Sequence, residues 1–188
     1  MPRSKRRSAA HEAGSEQREG HPLSGPAAGD VISAEYRNAM IGYRFASVRC
    51  TEMNGGRALV AIDPILPHHR GGGGSDAVNG AIVAFLFDAG MGCAVDSLYV
   101  GVPADRHRSV TMDMAISYIR PCYGDVCVCE GRVVGGGRHV IYTRGEIKDA
   151  SGTVCAQALG TYRVWPGGPM VHPLPGPGTP QYRPERTR

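Results

Sequence analysis

The residue best suited to do chemistry is Asp88, which stands in a nearly continuous apolar stretch, residues 77–95, among Phe85, Leu86, Phe87, Ala89 and Met91. A carboxylate in such company is costly unless it is paired or used. Burial would raise its pKa and nearby donors would lower it; a structural hydrogen bond to a neighbouring loop is the alternative to a catalytic role. Eight residues earlier the same stretch carries Asn79-Gly80. At a helix start the backbone N–H groups have no intrahelical partner, and the positive end of the dipole projects outward. A glycine there lets a carbonyl approach closely, and one such donor stabilises an oxyanion by about 3 kcal/mol in acyl-transfer enzymes. The glycine can equally serve only tight packing. Asp88, Gly80 and Asn79 are therefore the candidate catalytic set. The acid would attack a carbonyl or activate water, Gly80 would hold the oxyanion, and Asn79 would donate a hydrogen bond or cap the helix.

The spacing carries a geometric consequence. Eight residues of helix separate Gly80 and Asp88 by about 12 Å along the axis, whereas reacting atoms must meet within about 3–3.5 Å. One chain cannot bring both groups to one carbonyl. Two antiparallel copies of the helix across a two-fold axis can, and symmetry then gives two equivalent sites per homodimer.

The elements that must hold these residues follow from the hydrophobic pattern. Residues 30–39 predict a short helix capped by Asp30. Residues 44–52 and 57–63 read as strands joined by the turn signal Asn54-Gly55-Gly56. A loop follows with His68, His69 and four glycines, Gly71 to Gly74, without the Lys-Ser/Thr of a phosphate loop; the two histidines read as solvated. The apolar helix comes next, with Ser75 or Asp76 as candidate N-cap, running to about Ser97. Four more strands are expected at 109–119, 126–134, 139–148 and 153–164. In the first, Val110, Met112, Met114, Ile116 and Tyr118 would share one face and Thr111, Asp113 and Ser117 the other. In the last, Val154, Ala156, Ala158, Tyr162 and Val164 share a face. One-sided strands make an antiparallel sheet with one covered face, and the apolar helix is the element long enough to cover it. Because that helix is apolar on nearly all sides, a second subunit is expected to help bury it.

Composition bounds the rest. With 188 residues there is room for one domain, 30–165, between a polar N-terminal tail, 1–29, and a Pro/Gly-rich C-terminal tail, 166–188. Aromatics are 6%, so the core must rest on aliphatic residues. The net charge of +4 lies largely in the two ends, such as Arg3, Lys5, Arg183 and Arg188, which argues against a nucleic-acid face. The six cysteines, Cys50, Cys93, Cys122, Cys127, Cys129 and Cys155, lack metal-ligand spacing and read as small buried hydrophobes. No metal is expected. Asp88 and three glycines interrupt the 77–95 stretch, so a buried soluble helix fits better than a bilayer span. With no secretory signal at the N-terminus, the expected compartment is the cytoplasm.

The run from Val78-Asn79-Gly80-Ala81 through Asp88-Ala89-Gly90-Met91-Gly92 resembles the PaaI-type (phenylacetyl-CoA class) thioesterases of the hotdog superfamily. Their helix opens on a His-Gly-Gly-like turn and carries an Asp nine residues after the His, the spacing of Asn79 and Asp88 here. The likeness continues through Val110-Thr111-Met112-Asp113-Met114, Tyr118-Ile119-Arg120-Pro121, Gly137-Arg138 and the stretch from Asp149 to Ala156, covering roughly residues 40–165. It implies an α+β hotdog fold, a long central helix wrapped by a curved antiparallel sheet of five or six strands. It also implies an acyl-CoA thioesterase with active sites shared across a dimer, which often pairs into a tetramer. Coenzyme A would be part of the substrate, with no separate cofactor. Ala81, Phe85, Thr111, Met112, Arg120 and Arg138 are the residues expected around the substrate. Phe85 and Met112 would line an acyl pocket or fill the core; Arg120 and Arg138 would meet phosphates or lie solvated. The chain departs from the pattern in three places: Asn79 for the usual His, an Asn lost within the glycine-rich loop, and Gly92 where some relatives carry Thr or Ser to position water. The alternatives are a hotdog dehydratase or hydratase, against which Asn79 argues, and a non-catalytic acyl-CoA-binding module.

Overall fold

A computed structural model describes residues 29–166 of the chain. The segments read as tails lie outside the described residues, apart from Gly29 and Pro166. Two short helices, α1 (Ala34–Asn38) and α2 (Ile41–Phe45), lead into a hairpin of β1 (Val48–Asn54) and β2 (Arg57–Ile62). Gly55 and Gly56 form its turn, both at positive φ (54° and 84°), as a two-residue connection requires. The long helix α3 (Gly80–Asp96) follows, then β3 (His107–Tyr118), β4 (Cys127–Gly136), β5 (Val140–Asp149) and β6 (Val154–Pro166).

All six strands join one antiparallel sheet in the order β1-β2-β4-β5-β6-β3, which curves around α3. Alternation decides which side faces the helix: Val60, Ile62, Cys129, Ile147, Ala158 and Tyr162 are buried beneath it. The helix contributes Leu86, Phe87, Met91, Cys93 and Val95 from its inner and C-terminal parts. It comes so close to β4 that a methyl on Gly131 would overlap the Gly90 carbonyl. The apolar stretch is thus the central helix of the fold. The exception is one stripe near its start: Ala81 and Asp88 are exposed, and Ala84 and Phe85 are only partly covered. These positions recur at helical spacing and mark a single face that the sheet does not reach.

Four expectations are corrected. Asp30 does not cap a helix; residues 30–32 pair with the loop 101–104 (Ile32 N to Val102 O, 2.8 Å; Ala104 N to Asp30 O, 2.8 Å), so α1 begins only after Ser33, whose hydroxyl accepts from Tyr36 N. The expected strand at 44 starts at Val48, because residues 41–45 take a second helical turn. Neither Ser75 nor Asp76 caps α3. Ser75 turns back on the glycine loop through Gly72 O, and Val78 bridges Arg70, leaving the cap to Asn79. Finally, a β-bulge at Met112 inverts the expected faces in the first half of β3 and leaves those of the second half as expected. Before it, Ser109 and Thr111 pair with the inward residues Val164 and Tyr162; after it, Met114 and Ile116 pair with Gly160 and Ala158. The extra residue switches the two-residue alternation, so Val110 and Met112 are exposed, at 40% and 58%, while Thr111 faces the helix.

Candidate active site

The start of α3 is held by its own cap. Asn79 Oδ1 accepts from Ala81 N (2.9 Å), the Asn79 carbonyl takes Ile82 N and Val83 N, and Asn79 N donates to His69 O (2.8 Å). His69 is buried rather than solvated; its Nδ1 accepts from Leu66 N, and burial holds its pKa below the ordinary value, so the ring is a neutral brace for the loop. Among the described residues, the Gly80 amide is left without a partner in this first turn. It borders a cavity of about 370 Å³ whose lining includes Val78, Tyr118, Arg120 and Cys122. Tyr118 Oη donates to Gly80 O (3.1 Å), and a methyl on Gly80 would meet only the Tyr118 ring, at an ordinary 3.7 Å. Internal packing therefore does not explain the glycine.

Two turns along, Asp88 is exposed, and one carboxylate oxygen accepts from Thr111 Oγ1 at 2.5 Å. Tyr162 Oη donates to the Asp88 carbonyl (3.2 Å). Burial, and then the charge of Asp88, push the Tyr162 phenol above its ordinary pKa, so it remains a donor. A second cavity, of about 110 Å³, opens beside the acid, lined by Arg37, Tyr43, Phe85, Asp88, Ala89, Gly92, Ser109, Thr111 and Tyr162. Within one chain, Gly80 and Asp88 thus serve separate cavities, as a spacing of about 12 Å demands.

The charged residue that is buried on α3 is Asp96, 3% exposed. Its Oδ2 pairs with Arg37 Nη2 (2.9 Å), and its Oδ1 accepts from His107 Nε2 (3.0 Å) and Ser109 Oγ (2.7 Å). Burial alone would raise the Asp96 carboxyl; the His107 hydrogen bond, the Arg37 charge and the Ser109 hydroxyl outweigh it and hold the group below the usual carboxylate range. This network escaped the sequence reading. Its signal was a second carboxylate in the same apolar run, after Cys93-Ala94-Val95. The network matters to the site because Arg37 lines the Asp88 cavity while bound to Asp96.

Of the residues expected around substrate, Phe85 and Thr111 stand with Asp88, Arg120 borders the Gly80 cavity, and Ala81 lies on the uncovered helix face between them. Met112 belongs to neither cavity, and Arg138 is exposed in the β4–β5 turn, also outside both.

The family model described as the thioesterase superfamily matches residues 76–156, from just before α3 into β6. A relative from Saccharolobus solfataricus, provisionally named an esterase, is 30% identical over 134 residues, spanning 71% of this chain and 90% of its own. The chain belongs to the thioesterase superfamily. Its six-stranded sheet wrapped on one helix is that family's hotdog fold. Among solved structures, a conserved protein of Pseudomonas aeruginosa superposes with a TM-score of 0.61 at 25% identity, covering 71% of this chain and all (100%) of that one. The PaaI protein of the E. coli phenylacetic acid degradation operon gives 0.58 at 18%, over 69% of this chain and 92% of its own, so the fold is PaaI-like. A thioesterase protein of Streptococcus pneumoniae solved with coenzyme A gives 0.54 at 21%, over 64% and 90%.

Proposed function

We propose that this member of the superfamily hydrolyses an acyl-CoA thioester at a site built from two subunits, Asp88 of one and the Gly80 amide of the other. The observation that carries this reading is a division of labour within one helix. The unpartnered amide and the exposed carboxylate lie at separate cavities, and the uncovered apolar face formed by Ala81, Ala84 and Phe85 runs between them. Laying two such faces together antiparallel covers the face and brings each Asp88 toward the other chain's Gly80. Tyr118, exposed on the edge strand β3, stands at the Gly80 end of that face. Coenzyme A bound in the S. pneumoniae relative supports the ligand class.

In the reaction, the thioester oxygen sits at the Gly80 amide. Asp88, steadied by Thr111, either takes a proton from the attacking water or attacks the carbonyl carbon itself. With water as nucleophile the C–O bond forms, the C–S bond breaks, and the thiolate leaves with the proton that Asp88 took. With Asp88 as nucleophile the thiolate leaves with a solvent proton, and water then cleaves the acyl anhydride on Asp88 to release the acid. A thiolate leaves readily, so no strong general acid is needed. Release of free thiol from a panel of acyl-CoA esters tests the reading. Asp88→Asn should lower turnover by about 10²–10⁴-fold with the dimer and ligand affinity retained. A wild-type protein that binds acyl-CoA but releases no thiol would instead be a binding module.

A further inference from the structure

Two cavities meet at each proposed active site: the larger, beside Gly80 of one subunit, and the smaller, behind Asp88 of the other. The larger has Arg120 on its wall, a guanidinium suited to phosphates, and so fits the coenzyme A side of the substrate. The acyl group is then left with the cavity behind Asp88. We propose that this group is short and carries a neutral hydroxyl or keto oxygen, which Arg37 binds.

Size sets the first limit. At about 30 Å³ per water-sized group, 110 Å³ holds roughly four non-hydrogen atoms. A hydroxybutyryl tail has that many beyond its carbonyl carbon, whereas the ring of a phenylacetyl tail would extend beyond the cavity.

Chemistry sets the second. The hydroxyls around the cavity are already committed: Thr111 to Asp88, Ser109 to Asp96, Tyr162 to the Asp88 carbonyl and Tyr43 to the Ala89 carbonyl. Arg37 is different. Its guanidinium carries five N–H donors, yet among the described residues its hydrogen-bond partners are Asp96 and, weakly, Met40 Sδ at 3.5 Å. It lies 5.9 Å from the centroid of the Tyr43 ring, and its Nε is buried with no hydrogen-bond partner. A plain alkyl chain would leave those donors buried and unsatisfied. Gly92 makes the arrangement possible: a Cβ there would stand 3.2 Å from Arg37 Nη2. The absent side chain, one turn beyond the acid, is replaced in space by the guanidinium.

Charge sets the third. Asp96 already neutralises Arg37, and Asp88 adds a second carboxylate to the same wall. A substrate carboxylate would be a third, so a neutral oxygen is favoured over an anionic one.

This inference rests on the thioesterase reading, and the test separates the two. Free-thiol release is measured with the full-length protein on 3-hydroxybutyryl-CoA, acetoacetyl-CoA, butyryl-CoA, succinyl-CoA and phenylacetyl-CoA. The two esters with a neutral oxygen should exceed butyryl-CoA in kcat/KM by about 10–100-fold, the range expected when buried donors lose their acceptor. Gly92→Ser, whose side chain would press on Arg37 Nη2 and shift the guanidinium while leaving Arg37 and Asp96 both present, should pull that ratio toward one. Arg37→Met should do the same if the chain folds. Equal or better hydrolysis of butyryl-, succinyl- or phenylacetyl-CoA, or an unchanged ratio in Gly92→Ser, overturns the inference and leaves the thioesterase reading intact. Release from none of the five overturns both.

Discussion

Replacing Gly80 by alanine separates a structural glycine from a catalytic one. The new methyl would find the Tyr118 ring at 3.7 Å and nothing closer, an ordinary van der Waals contact. Alanine is also the better helix former, by up to about 1 kcal/mol in a helix interior and less at the first position. Stability should therefore hold or rise slightly, with Tm unchanged or up by no more than a few degrees. Activity should move the other way. The methyl would stand where a carbonyl must approach the unpartnered Gly80 amide, and losing one oxyanion donor costs about 10²–10³-fold in kcat. The assay is thiol release beside a thermal melt on the same preparation. Stable Gly80→Ala protein with wild-type kcat would refute the oxyanion role, whatever becomes of Asp88.

Other consequences concern the fold that carries the site. Asp96→Asn leaves Arg37 without its buried counter-charge and should cost about 3–5 kcal/mol, a Tm drop near 10 °C. The pH dependence has a definite sign. Because Asp96 is held below its ordinary pKa, its contribution is complete above the unfolded value of about 3.9 and drains away as pH falls through the lowered folded value. Urea melts of wild type and Asp96→Asn should thus differ most near neutrality and converge below pH 4; a gap that widens in acid would contradict the assignment. Gly131→Ala should be more damaging than its single methyl suggests, by about 1–3 kcal/mol or more, because β4 and α3 touch backbone to backbone at Gly90. A chemical melt of that variant checks it.

Sequence pattern reached some parts of this molecule and missed others for physical reasons. The strands β4, β5 and β6 emerged within two residues of their expected bounds, since regular alternation on a half-covered sheet is a local signal. The helix and its Asp88 were legible because a carboxylate among large apolar residues stands out without tertiary knowledge. Its start was displaced because Ser75 and Asp76, both good caps, are used by the preceding loop; Ser75 bonds Gly72 O and Asp76 pairs with Arg70. The Met112 bulge left no mark in the pattern: the apolar residues continue at every second position, and only pairing with β6 shows that the face has switched. Thr111 was thereby assigned to the wrong side of its strand, although it was expected near substrate. The Arg37–Asp96–His107 network was out of reach for another reason. Its members come from α1, the end of α3 and the start of β3; Asp96 stands out in its apolar run, but nothing local ties it to Arg37 or His107.

Subunit complementation addresses the shared site most directly. Inactive Asp88→Asn chains are mixed with inactive Gly80→Ala chains under conditions that let dimers exchange. If Asp88 and Gly80 act across the two-fold axis, half the dimers are mixed and each has one intact site, so thiol release should recover to about one quarter of wild type. If both residues act within one chain, no intact site can form, and the mixture will stay as inactive as its parents.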